Sequence, residues 1–462
     1  MGVRISKPLL GSMCLFAILV MVYLASVDIR ATRGASITGD EPFYLLTTQS
    51  LIQDRDLDLK NQYEAKSYES FFDHPKGLWR QSVSLEDGKL LSPHNPGLSV
   101  LQIPGFLAGG LIGAQLQMII LTALTFGLMY LLLTSITGYR WVTWLATLSV
   151  ATSATPFIYS SEIYPEIPAA LILVLSLLLI RNPERANIWG TITLVLLLSL
   201  LPWFGVKYLP LSALIALWAL YSIPKRMRLV FITMGAINAG FFIWFHLETF
   251  NSLTPYSIGA VYAGDNTLEI VGDHLGFKDR FYRIIGLFVD NRFGLGRWAP
   301  ILLVVLPGLP LLWRLRGLPR LIVLLIAVQI LIATFVAITM MGWWFAGRTL
   351  MTTVPLMVLP VILLFDRCMV LGRLFMGVLA LYTSVLTIVL AIAGYLREVV
   401  IAVDPFELST PLFQITSLLF PDYSLWDFRT WTLTALWAGL FVGVAFEFYL
   451  KSDWKEIVLR FK

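Results

Sequence analysis

The sequence predicts an all-α polytopic membrane protein, because of its composition, its long apolar segments and the placement of its charges. Of the 462 residues, 57% are hydrophobic and only 14% are charged, and the mean hydropathy is +0.77. Soluble domains carry about 25% charged residues, so this depletion indicates an integral membrane protein. The two cysteines, Cys14 and Cys368, are predicted to be free thiols.

Twelve segments are apolar enough to cross a bilayer, whose hydrocarbon core takes about 20 residues of helix. The first follows Arg4 and Lys7, is long for the apolar part of a signal peptide and lacks a convincing cleavage site, so we interpret it as a retained anchor. The predicted bundle of about 12 transmembrane helices covers residues 8–27, 113–136, 141–159, 167–181, 187–203, 206–223, 229–247, 298–313, 320–340, 349–365, 374–396 and 430–450.

The basic residues predict how these spans are oriented. If the N-terminus is inside the cell, the inner segments hold 17 of the 34 Lys and Arg but only four of the 29 Asp and Glu. Short cytoplasmic segments are enriched in Lys and Arg, so we expect a multi-pass protein of the inner or plasma membrane with both termini inside. This placement explains the net charge of +5 without a nucleic-acid partner, and we predict none.

Three outer segments are long in this topology, residues 28–112, 248–297 and 397–429, whereas the inner loops are short. The chemistry is therefore expected on the outer side. We divide the chain into a core of residues 1–247 with the catalytic loop 28–112, the outer loop 248–297, and C-terminal spans within 298–462.

The first outer segment is predicted to contain two surface helices. Residues 40–53 suit a short helix whose apolar side, with Tyr44 and Leu45, could lie flat on the membrane surface. A break at Pro93-His94-Asn95-Pro96-Gly97 follows. Residues 98–112 are apolar but too short to span, which predicts a surface or re-entrant helix leading into the second span.

Two adjacent acids, Asp40 and Glu41, follow the first span in Thr38-Gly39-Asp40-Glu41-Pro42. Asp is a favoured helix N-cap, so capping of the predicted helix is one interpretation of Asp40. Capping does not require Glu41. A carboxylate at the lipid–water boundary can instead accept a proton from a sugar hydroxyl, or bind a divalent cation that neutralises a phosphate leaving group.

A second acidic group occupies the outer turn between the third and fourth spans. Glu162, Tyr164 and Glu166 lie within seven residues there and could form the second wall of a site. A solvated polar turn is the alternative. Glu166 also begins the fourth span, where a negative charge is favourable at a helix N-terminus.

Three basic residues stand at outer helix ends, where positive-inside statistics disfavour them: Lys207, Arg297 and Arg348. Snorkelling towards lipid headgroups is the ordinary explanation. Binding of a lipid-linked phosphate is the functional one, and Arg suits its planar geometry. Aromatic residues close to these acids and cations, with His94, are the substrate-cavity candidates: Tyr44, Tyr164, Trp343 and Trp344.

Several chemistries are disfavoured by missing motifs. No two histidines have zinc-ligand spacing, so the sequence identifies no metal-ligand set. It contains no P-loop, no Gly-rich dinucleotide turn and no Gly-x-Ser-x-Gly, which argues against ATP or a cytosolic nucleotide sugar as donor.

These features together resemble the GT-C superfamily of membrane glycosyltransferases, in the branch of protein O-mannosyltransferases and lipid A aminoarabinose transferases. The likeness lies in the N-in first span, the Asp40-Glu41 pair after it, the two surface helices and the acidic second outer turn, over about residues 1–247. The resemblance implies a GT-C bundle with a large outer cavity. It also implies inverting transfer of a sugar from a polyprenyl-phosphate donor to a glycan, lipid or protein hydroxyl in cell-envelope glycan biosynthesis.

The resemblance also implies roles for individual residues. Asp40 matches the family's catalytic carboxylate and Glu41 its partner, and either Glu162 or Glu166 matches the second-loop acid. Lys207 and Arg348 would hold the donor phosphate, with Arg297 as a further candidate. No organic cofactor is implied, and a divalent cation is compatible but not required. The lack of a sizeable domain after the twelfth span argues against oligosaccharyltransferase.

Two alternatives remain open at this stage. A twelve-span carrier or lipid flippase would be expected to show charged residues at mid-membrane and two similar halves, and neither is evident. An O-antigen-type polymerase or ligase would place its arginines and histidine in the second half of the chain. The outer loop 248–297 does contain such residues, namely Arg280, Arg283, Arg292 and His274.

Overall fold

The structure is a computed structural model, and it describes residues 6–81, 83–84, 88–255, 277–337 and 339–451. His274 lies outside these residues. The described elements are helical apart from one short hairpin, in which β1 (Val83–Ser84) pairs antiparallel with β2 (Leu90–Leu91) and Val83 faces Leu91.

The α-helices of the first 255 residues lie in chain order as α1 (Lys7–Leu24), α2 (Glu41–Gln53), α3 (Lys60–Glu64), α4 (Gly97–Thr137), α5 (Arg140–Ala151), α6 (Ala154–Tyr159), α7 (Glu166–Leu179), α8 (Ile188–Phe204), α9 (Leu209–Ser222) and α10 (Lys225–Phe250). Short 3-10 turns join some of them, at Ser67–Ser70, Pro183–Arg185 and Val206–Tyr208.

The later α-helices are α11 (Arg283–Val289), α12 (Leu295–Trp298), α13 (Val305–Trp313), α14 (Leu318–Leu331), α15 (Val358–Arg367), α16 (Val370–Tyr395), α17 (Pro411–Ser417) and α18 (Phe428–Lys451). A π-helical turn, Ile332–Val336, extends α14. The 3-10 segments of this part are Phe277–Arg280, Pro300–Val304, Arg348–Met357 and Pro405–Glu407.

Helical segments occupy all twelve predicted spans, which confirms the all-α polytopic membrane class. Within the described residues, seven are individually long and apolar enough to cross a membrane: Lys7–Leu24, Gly97–Thr137, Lys225–Phe250, Leu318–Val336, Arg348–Arg367, Val370–Tyr395 and Phe428–Glu447. The other predicted spans are shorter or interrupted, as between α5 and α6. Helices suit a bilayer because each satisfies its own backbone hydrogen bonds.

The helix predicted over residues 98–112 and the second span both lie within α4, which bends sharply at two glycines. Gly109 and Gly110 have non-helical backbone angles, and Gly110 has a φ of 58°, in the left-handed region. The chain reverses direction there, as two hydrogen bonds show. Gln117 accepts one from the backbone N–H of Gly105 and donates the other to the carbonyl of Leu101. The segment before the glycines is therefore a helix folded back on the start of the second span.

Residues of the chain group into two compact, discontinuous units. Unit 1 contains Met1–Arg30, Ile119–Ser161 and Lys278–Lys462. Unit 2 contains Ala31–Met118 and Glu162–Phe277. The first outer segment and the second acidic turn therefore contribute to one unit although the sequence separates them.

The interpretation of α2 as a helix lying flat on the membrane was wrong. Its residues from Glu41 to Thr48 are all buried inside the protein. Polar contacts on its inner side explain why: Ser99 donates its hydroxyl to the carbonyl of Tyr44, and Thr48 donates to the carbonyl of Ser99. The helix is a core element of unit 2.

Candidate functional site

Asp40 is the residue immediately before α2, and its side chain makes no capping hydrogen bond. Its backbone carbonyl accepts the N–H groups of Phe43 and Tyr44, so the helix start is formed by the main chain. Gly39 precedes it with a φ of 60°, a left-handed conformation that favours glycine. With its side chain 23% exposed, Asp40 is available for a role other than capping.

Glu41 is buried, and backbone donors from two loops hold its carboxylate. One oxygen, Oε2, accepts the N–H of Thr38 at 2.9 Å, and Oε1 accepts the N–H of Ile163 at 3.0 Å. Charge-assisted hydrogen bonds of this kind are about twice as strong as neutral ones. Glu41 therefore ties the loop that carries Asp40 to the second acidic turn.

Tyr164 strengthens the same connection. Its buried hydroxyl donates to the carbonyl of Thr38 at 3.3 Å. Thr38 is thus held at its N–H by Glu41 and at its carbonyl by Tyr164, two residues before Asp40. The predicted cavity residue Tyr164 is a support of the loop.

His94 lies beside Asp40, as the prediction of a shared cavity requires. Its Nε2 is 3.9 Å from Oδ1 of Asp40 and 3.4 Å from Oε1 of Gln81. The imidazole ring also lies against the buried ring of Tyr44, with 4.9 Å between ring centroids. The structure therefore brings together three of the predicted residues, Asp40, His94 and Tyr44.

Glu166 and Lys207 form a second pair in unit 2. Glu166 is the first residue of α7 and is buried, whereas the side chain of Lys207 is 40% exposed. Nζ of Lys207 donates to Oε1 of Glu166 at 2.8 Å and lies 5.1 Å from the ring centroid of Tyr208. The buried carboxylate of Glu166 therefore holds the end of a lysine side chain that is itself part-exposed.

Glu162 is buried as well, in the turn that leads to α7. Its backbone carbonyl accepts the N–H of Tyr164. The two candidates for the second-loop acid therefore differ in their surroundings, since Glu166 faces Lys207 and Glu162 lies within the turn that Glu41 binds at Ile163.

Arg348 and its tryptophans belong to unit 1. Arg348 is buried at the start of its 3-10 segment, with its guanidinium 5.1 Å from the ring centroid of Trp344, which is half-buried. Trp343 beside it is exposed. The preceding Gly347 has a φ of 83°. The phosphate-binding role of Arg348 stays a prediction.

Arg297 makes its contacts within unit 1. It is buried, donates hydrogen bonds to the carbonyl and side-chain oxygens of Asn291, and stacks 3.9 Å from the ring centroid of Phe413. Burial lowers the pKa of Arg297 to about 10. These contacts give it a structural role in the loop that begins at Asp290.

Asp290 is a buried acid that the sequence did not single out. Its Oδ1 accepts the N–H groups of Arg292 and Phe293, and its Oδ2 accepts the N–H of Tyr423. Burial raises the pKa of Asp290 to about 6. Asp290 therefore joins two loops of unit 1. No local sequence motif predicts this role, because Tyr423 lies 133 residues away.

The arginines behind the polymerase or ligase alternative also have structural partners. Arg280 donates to the carbonyl of Phe335, and Arg283 donates to those of Thr334 and Ala337, at the end of the π-helical turn. Arg292 pairs with Asp422 at 3.6 Å. Cations are favoured at the C-terminal end of a helix, so capping explains the first two.

No three His, Cys, Asp or Glu side chains within the described residues come together in a way that could hold a metal ion. His246 and Asn95 are further polar residues that the sequence did not mark, and their side chains meet at 3.4 Å. The sequence signal that could have identified His246 is the presence of a histidine within an apolar span, α10.

Comparison with known proteins gives two similar solved structures. No family model matches the chain, and no curated protein matches it. A crystal structure of ArnT from Cupriavidus metallidurans bound to undecaprenyl phosphate is 13% identical, with a TM-score of 0.48 over 94% of this chain and 76% of that one. The structure of the same protein in the apo state is 12% identical, with a TM-score of 0.47 over 96% and 77%.

Proposed function

We propose that this membrane protein is a glycosyltransferase of the GT-C type. It moves a sugar from a polyprenyl-phosphate donor to a hydroxyl of a glycan, lipid or protein acceptor. The reaction takes place on the outer face, with both termini of the protein inside. The observation that carries the proposal is Asp40, a part-exposed carboxylate that is not used in capping and lies at the end of a loop fixed by buried groups.

Asp40 is the general base in this mechanism. The acceptor oxygen attacks the anomeric carbon from the face opposite the lipid phosphate, and its proton passes to the Asp40 carboxylate. The new bond joins the acceptor oxygen to the anomeric carbon, the bond from that carbon to the phosphate oxygen breaks, and polyprenyl phosphate leaves with the electron pair. The sugar is therefore inverted at this carbon.

Lys207 supplies the positive charge for the departing phosphate. Its ammonium is held by Glu166, and its side chain is 40% exposed. A cation aimed at a leaving group stabilises the charge that develops in the transition state. Glu41 and Tyr164 act as positioning residues, because they fix the backbone of Thr38 on the loop that presents Asp40.

The test is transfer of label in proteoliposomes supplied with a panel of radiolabelled undecaprenyl-phosphate sugars and with membrane extract as acceptor. Asp40→Asn keeps the shape of the side chain but cannot accept the proton, so we expect at least an approximately hundredfold loss of transfer. The melting temperature in detergent should not change.

Asp28→Asn is the matched control. Asp28 carries the same side chain in the same outer segment, but it is 69% exposed and pairs with Arg397. This variant should transfer label as the wild type does. Near-full activity of Asp40→Asn would remove Asp40 from the mechanism, and a wild-type protein that transfers no label from any donor would contradict the proposed function.

A further inference from the structure

The imidazole of His94 is directed at two oxygen acceptors. Its Nε2 lies 3.4 Å from Oε1 of Gln81 and 3.9 Å from Oδ1 of Asp40. An amide oxygen and a carboxylate oxygen can only accept hydrogen bonds. The Nε2 atom must therefore carry a proton to interact favourably with either of them, in the neutral or the charged form of the ring.

A second histidine fixes the loop that carries His94. His246 is fully buried in α10, and its Nδ1 lies 2.8 Å from the carbonyl of Phe242. A carbonyl cannot donate, so Nδ1 carries the proton and Nε2 of a neutral ring is an acceptor. That acceptor faces the side-chain N–H of Asn95 at 3.4 Å, the residue next to His94.

The loop has a further anchor at Gly97. A Cβ atom at this position would lie 2.5 Å from the carbonyl oxygen of Trp203, so the backbone of the loop packs directly on the end of α8. Pro93 and Pro96 flank His94 and Asn95 and restrict the backbone further. The ring of His94 is thus presented to Asp40 from a rigid support.

We infer that His94 is a positioning residue that stabilises the ionised form of Asp40 and orients its carboxylate through the Nε2–H group. The inference rests on the proposed function for the role of that carboxylate. The ring contacts two titratable residues at the start of α2, Asp40 and Tyr44, and lies near the uncharged Gln81, while His246 lies behind Asn95. A carboxylate that must accept a proton has to be ionised beforehand, and an N–H donor beside it favours that state.

The inference is tested without any substrate by titrating the four histidines. Histidine C2–H exchange, followed by mass spectrometry of the full-length protein in detergent, gives the pKa of His94 in the wild type and in Asp40→Asn. Removal of a negative neighbour at this distance should lower the pKa of His94 by about 1. An identical pKa in the two proteins would overturn the inference.

His74 is the internal control for this titration. It belongs to the same outer segment, but its ring stacks on Phe72 and its Nδ1 accepts the backbone N–H of Lys76. Its C2–H exchange rate at each pH should be the same in both proteins. An equal change at His74 and His94 would indicate a general rearrangement and would also overturn the inference.

Activity provides a second readout. In His94→Leu, the acid limb of the kcat/KM profile should move to higher pH, because Asp40 then ionises less readily, while KM for the undecaprenyl-phosphate sugar stays within about twofold. His94→Gln retains an N–H donor and should return the acid limb towards the wild type. An unchanged acid limb in His94→Leu contradicts the inference, whereas a wild type without transfer contradicts only the proposed function.

Discussion

Buried acids of unit 2 lie against backbone N–H groups, whereas buried arginines of unit 1 lie against backbone carbonyl oxygens. In unit 2, Glu41 accepts two backbone N–H groups and Glu166 stands at the first turn of α7. In unit 1, Arg283 and Arg280 donate to carbonyls at the end of a π-helical turn, and Arg297 donates to Asn291. Each charge thus meets the partial charge of opposite sign that the chain leaves there.

The two units differ in what remains accessible. Unit 2 keeps a part-exposed charged side chain beside a less exposed one, namely Asp40 next to His94 and Lys207 next to Glu166. Arg280, Arg283 and Arg297 of unit 1, by contrast, are at least nine-tenths buried. Burial with backbone partners indicates a structural role, whereas exposure beside a fixed group permits chemistry. Substitutions should therefore change stability in unit 1 and activity in unit 2.

The largest effect on stability is expected for Arg297→Met. The change removes the hydrogen bonds to Asn291 and the stacking on Phe413, which together should cost about 3 kcal/mol of the free energy of unfolding. Unfolding by SDS in mixed micelles measures it. Arg292→Met is the matched control, because Arg292 is 41% exposed and its pair with Asp422 should contribute less than about 1 kcal/mol. Equal losses in the two variants would contradict the comparison.

Asp290 should make stability depend on pH. Burial raises its pKa from the ordinary value of 3.8 to about 6, so the folded protein binds the proton more tightly than the unfolded chain. This contribution is fully present below about pH 4 and is lost as the pH rises to about 6, by on the order of 3 kcal/mol.

The measurement is the free energy of unfolding between pH 4 and pH 7. Asp290→Asn keeps a carbonyl acceptor but does not titrate, so its profile should lack this fall. The neighbouring substitution Asp422→Asn should retain the fall, because Asp290 is intact. A fall of the same size in Asp290→Asn would assign it to another group.

The smallest predicted effects concern the Glu166–Lys207 pair. Lys207→Gln should lower kcat/KM for the undecaprenyl-phosphate sugar about tenfold, since one charge-assisted contact to the departing phosphate is lost. Glu166→Gln leaves the ammonium in place but holds it less firmly, so a decrease in kcat/KM of about threefold is expected. The double variant should resemble Lys207→Gln, and independent, additive effects would show that the pair is not coupled in this role.

Elements with a strong local pattern were predictable from the sequence. Apolar length located the twelve helical spans, and the Gly109-Gly110 pair marks the break that separates the folded-back helix from the second span. Asp40 was placed correctly before a helix. The burial of α2 was not foreseen, because its inward contacts to Ser99 come from a helix 51 to 55 residues further along the chain.

The different roles of the charged and polar residues depend on contacts between residues that are still further apart in the sequence. Glu41 and Asp40 look equivalent in the sequence, but the N–H of Ile163 binds only Glu41 and lies 122 residues away. The carbonyls that bind Arg283 are 51 and 54 residues away, and His246 meets Asn95 across 151 residues. Periodicity and motif spacing contain no information about such contacts.

The hydrogen bond from Ile163 to Glu41 also sets an order of events during biosynthesis. At about 5–20 residues per second, a ribosome adds Ile163 roughly 6 to 24 seconds after Glu41, given the separation of 122 residues. Throughout that interval the nascent chain contains the Asp40 loop but lacks the turn that secures it. A ribosome that stalls before residue 163 would therefore release a membrane-inserted fragment that contains Asp40 but lacks the turn that fixes its loop.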